Sequence, residues 1–119
     1  MYSNHFPPLN IQNTSSRTLL SSYLAQLNSL FLFEDKFYQL CTEKSLFLNS
    51  NPLRHPLIFY YCHTATFYIN KLNLSGIINY FLNERFETMF AVGVDENAWD
   101  DTNFQHYDWP SYREVYMYK

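Results

Sequence analysis

Glycine is scarce in this sequence: only Gly76 and Gly93 occur in 119 residues. All-β domains spend many Gly and Pro residues on turns, so the shortage leans towards helices. Cysteine is equally scarce. Cys41 and Cys62 form no CxxC and no Cys/His spacing of a zinc site, and two cysteines make no disulfide framework of a secreted domain. Positive charge is short as well. Eight Lys and Arg stand against eleven Asp and Glu, a net charge of −3, without the basic stripe that nucleic acid calls for. No nucleic-acid partner is expected. Long apolar runs are also missing, since the longest, Leu57 to Cys62, is far too short for a bilayer. Residues 1–13 are polar, interrupted by Pro7 and Pro8, and lack the basic and apolar regions of a signal peptide. No membrane association and a cytoplasmic location are therefore expected.

What the sequence has in quantity is aromatic surface: eleven Tyr, eleven Phe and two Trp. Such side chains bury large areas and supply most of a core. The length suits one small domain rather than two. Residues 1–14 read as a flexible lead-in, and residues 15–119 as the helical region. Thr14, Ser15 and Ser16 offer N-cap oxygens. From there Leu20, Leu24, Leu27, Phe31, Tyr38 and Cys41 recur at helical spacing, and no Gly or Pro interrupts residues 15–50. The pattern predicts a helix of about seven turns over residues 15–41.

Residues 43–51 read as a connection closed by Asn51-Pro52. A second helix is predicted from His55-Pro56, where proline suits the first turn, through Leu57, Tyr60, Tyr61, Thr64, Phe67, Tyr68 and Leu72 to a stop before Gly76. Residues 77–83 read as a short helix or a turn, residues 85–93 as apolar without clean periodicity, and residues 95–107 as a polar loop. Ser111-x-x-Glu114 after Trp109-Pro110 is a capping box that opens a further helix, of which about two turns follow.

Four histidines carry the candidate chemistry. His5 lies in the lead-in, His106 in the acidic loop, and His55 at a helix start, where an imidazole is usually a cap or a surface group. His63 sits mid-helix with Tyr60, Phe67 and Asn70 on its face. Two readings stand for it. One is a core histidine satisfied by Thr64 or a backbone carbonyl; the other is a metal ligand, since imidazole suits iron, zinc and copper. His55 lies eight residues before it, roughly 12 Å along the helix, too far to share a metal. Cys62 and His63, being adjacent on a helix, do not face each other, so Cys62 reads as a buried structural thiol. The acidic stretch from Asp95 to Asp101 lacks the alternation, central Gly and distal Glu of a calcium loop.

Residues 54–72, Arg54-His55-Pro56-Leu57-Ile58-Phe59-Tyr60-Tyr61-Cys62-His63-Thr64 through Leu72, resemble the second helix of the 5-histidylcysteine sulfoxide synthases of ovothiol biosynthesis. Arg85-Phe86-Glu87, Phe90 to Glu96, Trp99-Asp100-Asp101 and His106 to Pro110 follow in the same order as in that family. The resemblance implies an all-α fold, an incomplete DinB-like four-helix bundle: two long antiparallel helices, an irregular segment and the start of a further helix. It implies that His63 is one ligand of a non-haem Fe(2+), the others coming from an HxxxHxE sequence that these 119 residues do not contain. It implies cysteine, histidine and O2 as substrates of the full-length parent. It also implies a glycine before the ligand histidine, where this chain has Cys62. A side chain pressed into a space set for glycine costs about 1–3 kcal/mol.

Two alternatives stay open beside an enzyme fragment that is inactive alone. One is a truncated non-catalytic module that self-associates or pairs with a full-length synthase. The other is a different DinB-like hydrolase or transferase. Two amphipathic helices cannot cover each other's wide apolar faces. The chain in isolation is expected to associate, and a monodisperse, cooperatively melting monomer in light scattering and calorimetry would contradict this.

Overall fold

The computed structural model describes residues 15–91 and 107–119. The expected lead-in of residues 1–14, the acidic stretch, His5 and His106 lie outside the described residues. Among the described residues all regular structure is helical, in five helices without a strand. The chain divides into two compact units, Met1–Leu40 and Cys41–Lys119, each taken by itself.

In the first unit, α1 spans Ser16–Tyr38. Ser15 is its N-cap, the hydroxyl accepting from the Thr18 N–H at 3.3 Å. The predicted extension to Cys41 is shortened by three residues. Gln39 is the C-cap, and its N–H bonds back to Asp35 and Phe37. Ser21, Ser22 and Ser29 fold their hydroxyls onto carbonyls four residues back, which absorbs their polarity along the helix. Tyr38 is the residue that α1 buries, whereas Leu20, Leu24, Leu32 and Phe33 each stay more than half exposed.

The second unit is organised by α3, Leu57–Leu74, the expected second helix, with Pro56 at its N-cap rather than in its first turn. Ile58, Phe59, Tyr61, Cys62 and Thr66 are buried on it. At ~100° per residue these five cover an arc of about 160°, wide enough to receive several short helices. Its β-branched Thr64, Thr66 and Ile69 weaken intrinsic helicity, so this burial must hold it. The helix ends at Gly76, whose φ of +73° lets the Gly76 N–H reach Asn73 O and the Ile77 N–H reach Leu72 O, both at 3.0 Å.

Three short helices pack on α3: α2 (Glu43–Leu46), α4 (Glu84–Met89) and α5 (Tyr112–Tyr118). Two of them correct the sequence reading. Residues 43–51 contain α2, capped by the Thr42 hydroxyl and carrying the buried Leu46. The stretch read as aperiodic, residues 85–93, overlaps α4, which starts one residue earlier at Glu84 and is capped by the Asn83 side chain on the Phe86 N–H. Helices of four and six residues are too short to show a period, so their hydrophobic anchors look like isolated apolar residues. Residues 77–83 form bends rather than a helix.

The predicted capping box is present on α5. The Ser111 hydroxyl accepts from the Glu114 N–H, and the Glu114 carboxylate accepts from the Ser111 N–H at 2.7 Å. The Ser111 side-chain and backbone hydrogen bonds hold the Glu114 carboxyl below its ordinary range. Tyr112 of α5 stacks on Tyr61 of α3 at 5.7 Å, and Val115 closes the contact, fully buried.

No helix of the described residues is long and apolar enough to cross a membrane. Gly76→Ala should cost about 1–2 kcal/mol in urea denaturation, because the left-handed backbone strains any side chain while a Cβ there would meet nothing within 4 Å. Gly76→Asn should cost less, asparagine being more tolerant of this region, and equal losses for both would contradict the backbone explanation.

Candidate functional site

An i, i+4 row runs through His55, Phe59, His63, Phe67 and Lys71. Steps of four residues drift by about 40° around a helix, so a row that begins in the core must leave it. Phe59 is fully buried, His63 half-buried, and Phe67 is 37% exposed. His63 therefore sits at the rim of the core, half-buried, its ring walled by apolar neighbours.

The walls are aromatic. His63 stacks parallel to Phe59 at 5.5 Å, and Phe67 lies tilted against it at 6.0 Å. Lys71 places its ammonium 5.2 Å from the Phe67 centroid. Phe59 stacks in turn on His55 at 3.8 Å. Trp109 closes the cluster edge-on to both His55 and Phe59 and lies 5.7 Å from Phe90. His55 is thus half-buried inside an aromatic stack, which corrects its reading as a cap or surface group.

One polar contact fixes the His63 ring. Its Nδ1 lies 2.7 Å from the carbonyl oxygen of Phe90, the C-cap of α4. A carbonyl can only accept, so Nδ1 carries the hydrogen and is the donor. In the neutral ring the lone pair then belongs to Nε2, which no described residue hydrogen-bonds. Of the two partners that the sequence suggested, a backbone carbonyl is the one used, while the Thr64 hydroxyl donates to Tyr61 O.

The last carbonyls of a helix have no partner within it. α4 meets this need from α3 at two points: His63 takes Phe90 O, and Asn70 Nδ2 donates to Glu87 O at 2.9 Å. Asn70, expected on the His63 face, is there but serves α4 rather than His63. Glu87 itself is buried. Its Oε1 accepts from the N–H groups of Leu82 and Asn83 and from the Tyr118 hydroxyl, all at 3.0 Å. Sequence reasoning assigned Phe59, Phe90 and Glu87 no role. A backbone acceptor leaves no signature in sequence, but the i−4 spacing of Phe59 from His63 could have been read.

Cys62 is fully buried, as expected of a structural thiol. Burial pushes its pKa well above the ordinary value of 9.0, although Lys119 pulls the other way. Burial, then the hydrogen bond to Glu87 and its charge, likewise push the Tyr118 phenol up from 10.0. Between α4 and α5 an open groove of about 450 Å³ is lined by Leu82, Phe86, Met117 and Tyr118 with Arg85 and Arg113. His63 does not line it.

Among the described residues no group of three or more His, Cys, Asp and Glu side chains could hold a metal ion. No protein-family model matches the sequence, and no curated protein is significantly similar to it.

Cys62 and Tyr118 set the expected alkaline behaviour. Both stay neutral in the fold but ionise in the unfolded chain from about pH 9 and 10. Their contribution to stability is complete below pH 9 and falls as the pH rises beyond it. Urea midpoints should decline between pH 9 and 11. Iodoacetamide should modify Cys41 in the native protein and Cys62 only on unfolding; equal rates would contradict the buried placement.

Proposed function

We propose that the chain is the N-terminal, DinB-like helical part of a non-haem iron(II), O2-dependent sulfoxide synthase of the ovothiol type, with His63 as one iron ligand. The observation that supports this most is the Phe90 carbonyl on His63 Nδ1. Metal-binding histidines commonly donate their second ring nitrogen to a carbonyl or carboxylate, which fixes the tautomer and aims the other nitrogen outward. Phe59 stacks on the ring and Phe67 packs tilted against it, which restricts its rotation.

The described residues fit iron as the holder of one coordination position and no more. A complete set needs the two histidines of an HxxxHxE sequence, supplied by further polypeptide. When bound, iron(II) supplies the redox chemistry with O2 that joins cysteine to histidine as a sulfoxide. What this chain contributes is the orientation of one imidazole and the proton held at Nδ1. Alone it is inactive in this reading.

A second reading is favoured by the exposed leucines and phenylalanines of α1: a non-catalytic module that self-associates or pairs with a full-length synthase. The length of the native product separates the two. An enzyme front end requires a longer product, with HxxxHxE downstream. Anaerobic titration should then show no tight iron binding by the 119 residues and stoichiometric binding by the longer protein. In that protein His63→Ala should weaken iron at least tenfold, by analogy with the 10–100-fold losses seen for groups that merely support a ligand. Unchanged iron affinity in that variant would overturn the ligand role, and a native product of 119 residues would leave the module reading.

A further inference from the structure

Glu87 is a carboxyl side chain that is 2% exposed in a small helical unit, and its Oε2 is buried without a hydrogen-bond partner. A buried acceptor left unpaired costs stability, and an apolar side chain of similar volume would avoid that cost. Such a side chain could not direct the rotation of α4 about its own axis. Glu87 does this from both ends of the residue. Its Oε1 gathers the turn that enters α4, through Leu82 and Asn83, and the last turn of α5, through Tyr118. Its main-chain oxygen is held by Asn70 of α3.

Phe90 follows three residues later, and its own N–H bonds Phe86 O at 2.9 Å. The carbonyl that orients His63 is therefore tied to the same turn that Glu87 fixes. On α3 the two contact points, His63 and Asn70, lie seven residues apart, close to two turns, so both face α4. A hydrogen bond of 2.7 Å leaves little tolerance for rotation of α4.

We infer that Glu87 is a positioning residue for His63: with Tyr118 it sets α4 so that the Phe90 carbonyl selects the Nδ1–H tautomer and presents Nε2. The inference rests on the reading of His63 as a ligand for its significance, but its test does not. Sites of this kind need their groups held within about 0.5 Å and lose function when the supporting contacts leave them about 1 Å loose.

The test is nitrogen NMR of the 119-residue chain with labelled histidine, at mildly alkaline pH. The two ring nitrogens of His63 report the tautomer ratio directly. Glu87→Leu should lower the ratio of Nδ1–H to Nε2–H about twofold to tenfold, the worth of one ordinary hydrogen bond. Glu87→Gln, which keeps an acceptor oxygen for the same three donors, should restore it. Helicity by circular dichroism and protection of Cys62 from alkylation establish that each variant is folded. If Glu87→Leu does not fold, Tyr118→Phe carries the test, with a smaller change in the same direction. An unaltered tautomer ratio in a folded Glu87→Leu, or in Tyr118→Phe where that variant alone folds, overturns the inference. Failure of iron binding in a longer protein leaves these resonances untouched, so the two ideas can fail separately.

Discussion

The unpaired carbonyls at the end of α4 are the constraint around which the second unit is built. A six-residue helix has more orphan backbone groups than internal bonds, so it persists only where neighbours complete it. Here α3 completes it with an imidazole and an amide, two turns apart. The same contact that stops α4 also fixes the ring of His63. Termination of one helix and orientation of a side chain on another are thus a single event.

Aromatic packing supplies the energy that this polar geometry lacks. Phe59, Phe90 and Trp109 form one contact cluster, joined by His55 below and His63 above. Fully burying a phenylalanine contributes about 1.5–3 kcal/mol. A single hydrogen bond contributes about 0.5–1.5 kcal/mol net. The rings therefore decide that α3 and α4 meet, and the hydrogen bonds decide in which orientation. Glu87 extends the second role towards α5, where Tyr118 and the capping box at Ser111 anchor the last helix from its two ends.

His63 shows why a core residue and a ligand are difficult to separate by pattern. The four-residue row that contains it drifts out of the core, which places the ring half inside and half out. A histidine that only caps α4 and one that also offers Nε2 to iron have the same Nδ1 contact. The difference lies in partners for Nε2, which no described residue hydrogen-bonds.

By itself, the sequence determined the long helices and, apart from the C-terminal end of α1, where they start and stop. Periodicity over 23 and 18 residues, Ser15, Pro56, Gly76 and the Ser111–Glu114 box are local signals, and each acts within a few residues of itself. It also marked Cys62 as a buried thiol, and for His63 it left two readings open, a core histidine held by a near neighbour or a backbone carbonyl, and a metal ligand. The tertiary structure decided which carbonyl, and made helices of residues 43–46 and 84–89, because segments so short draw their stability from contacts distant in sequence. It placed His55 in a stack rather than at the surface and Glu87 in the interior. Those outcomes depend on pairs such as Glu87 and Tyr118, 31 residues apart, whose meeting no local pattern encodes.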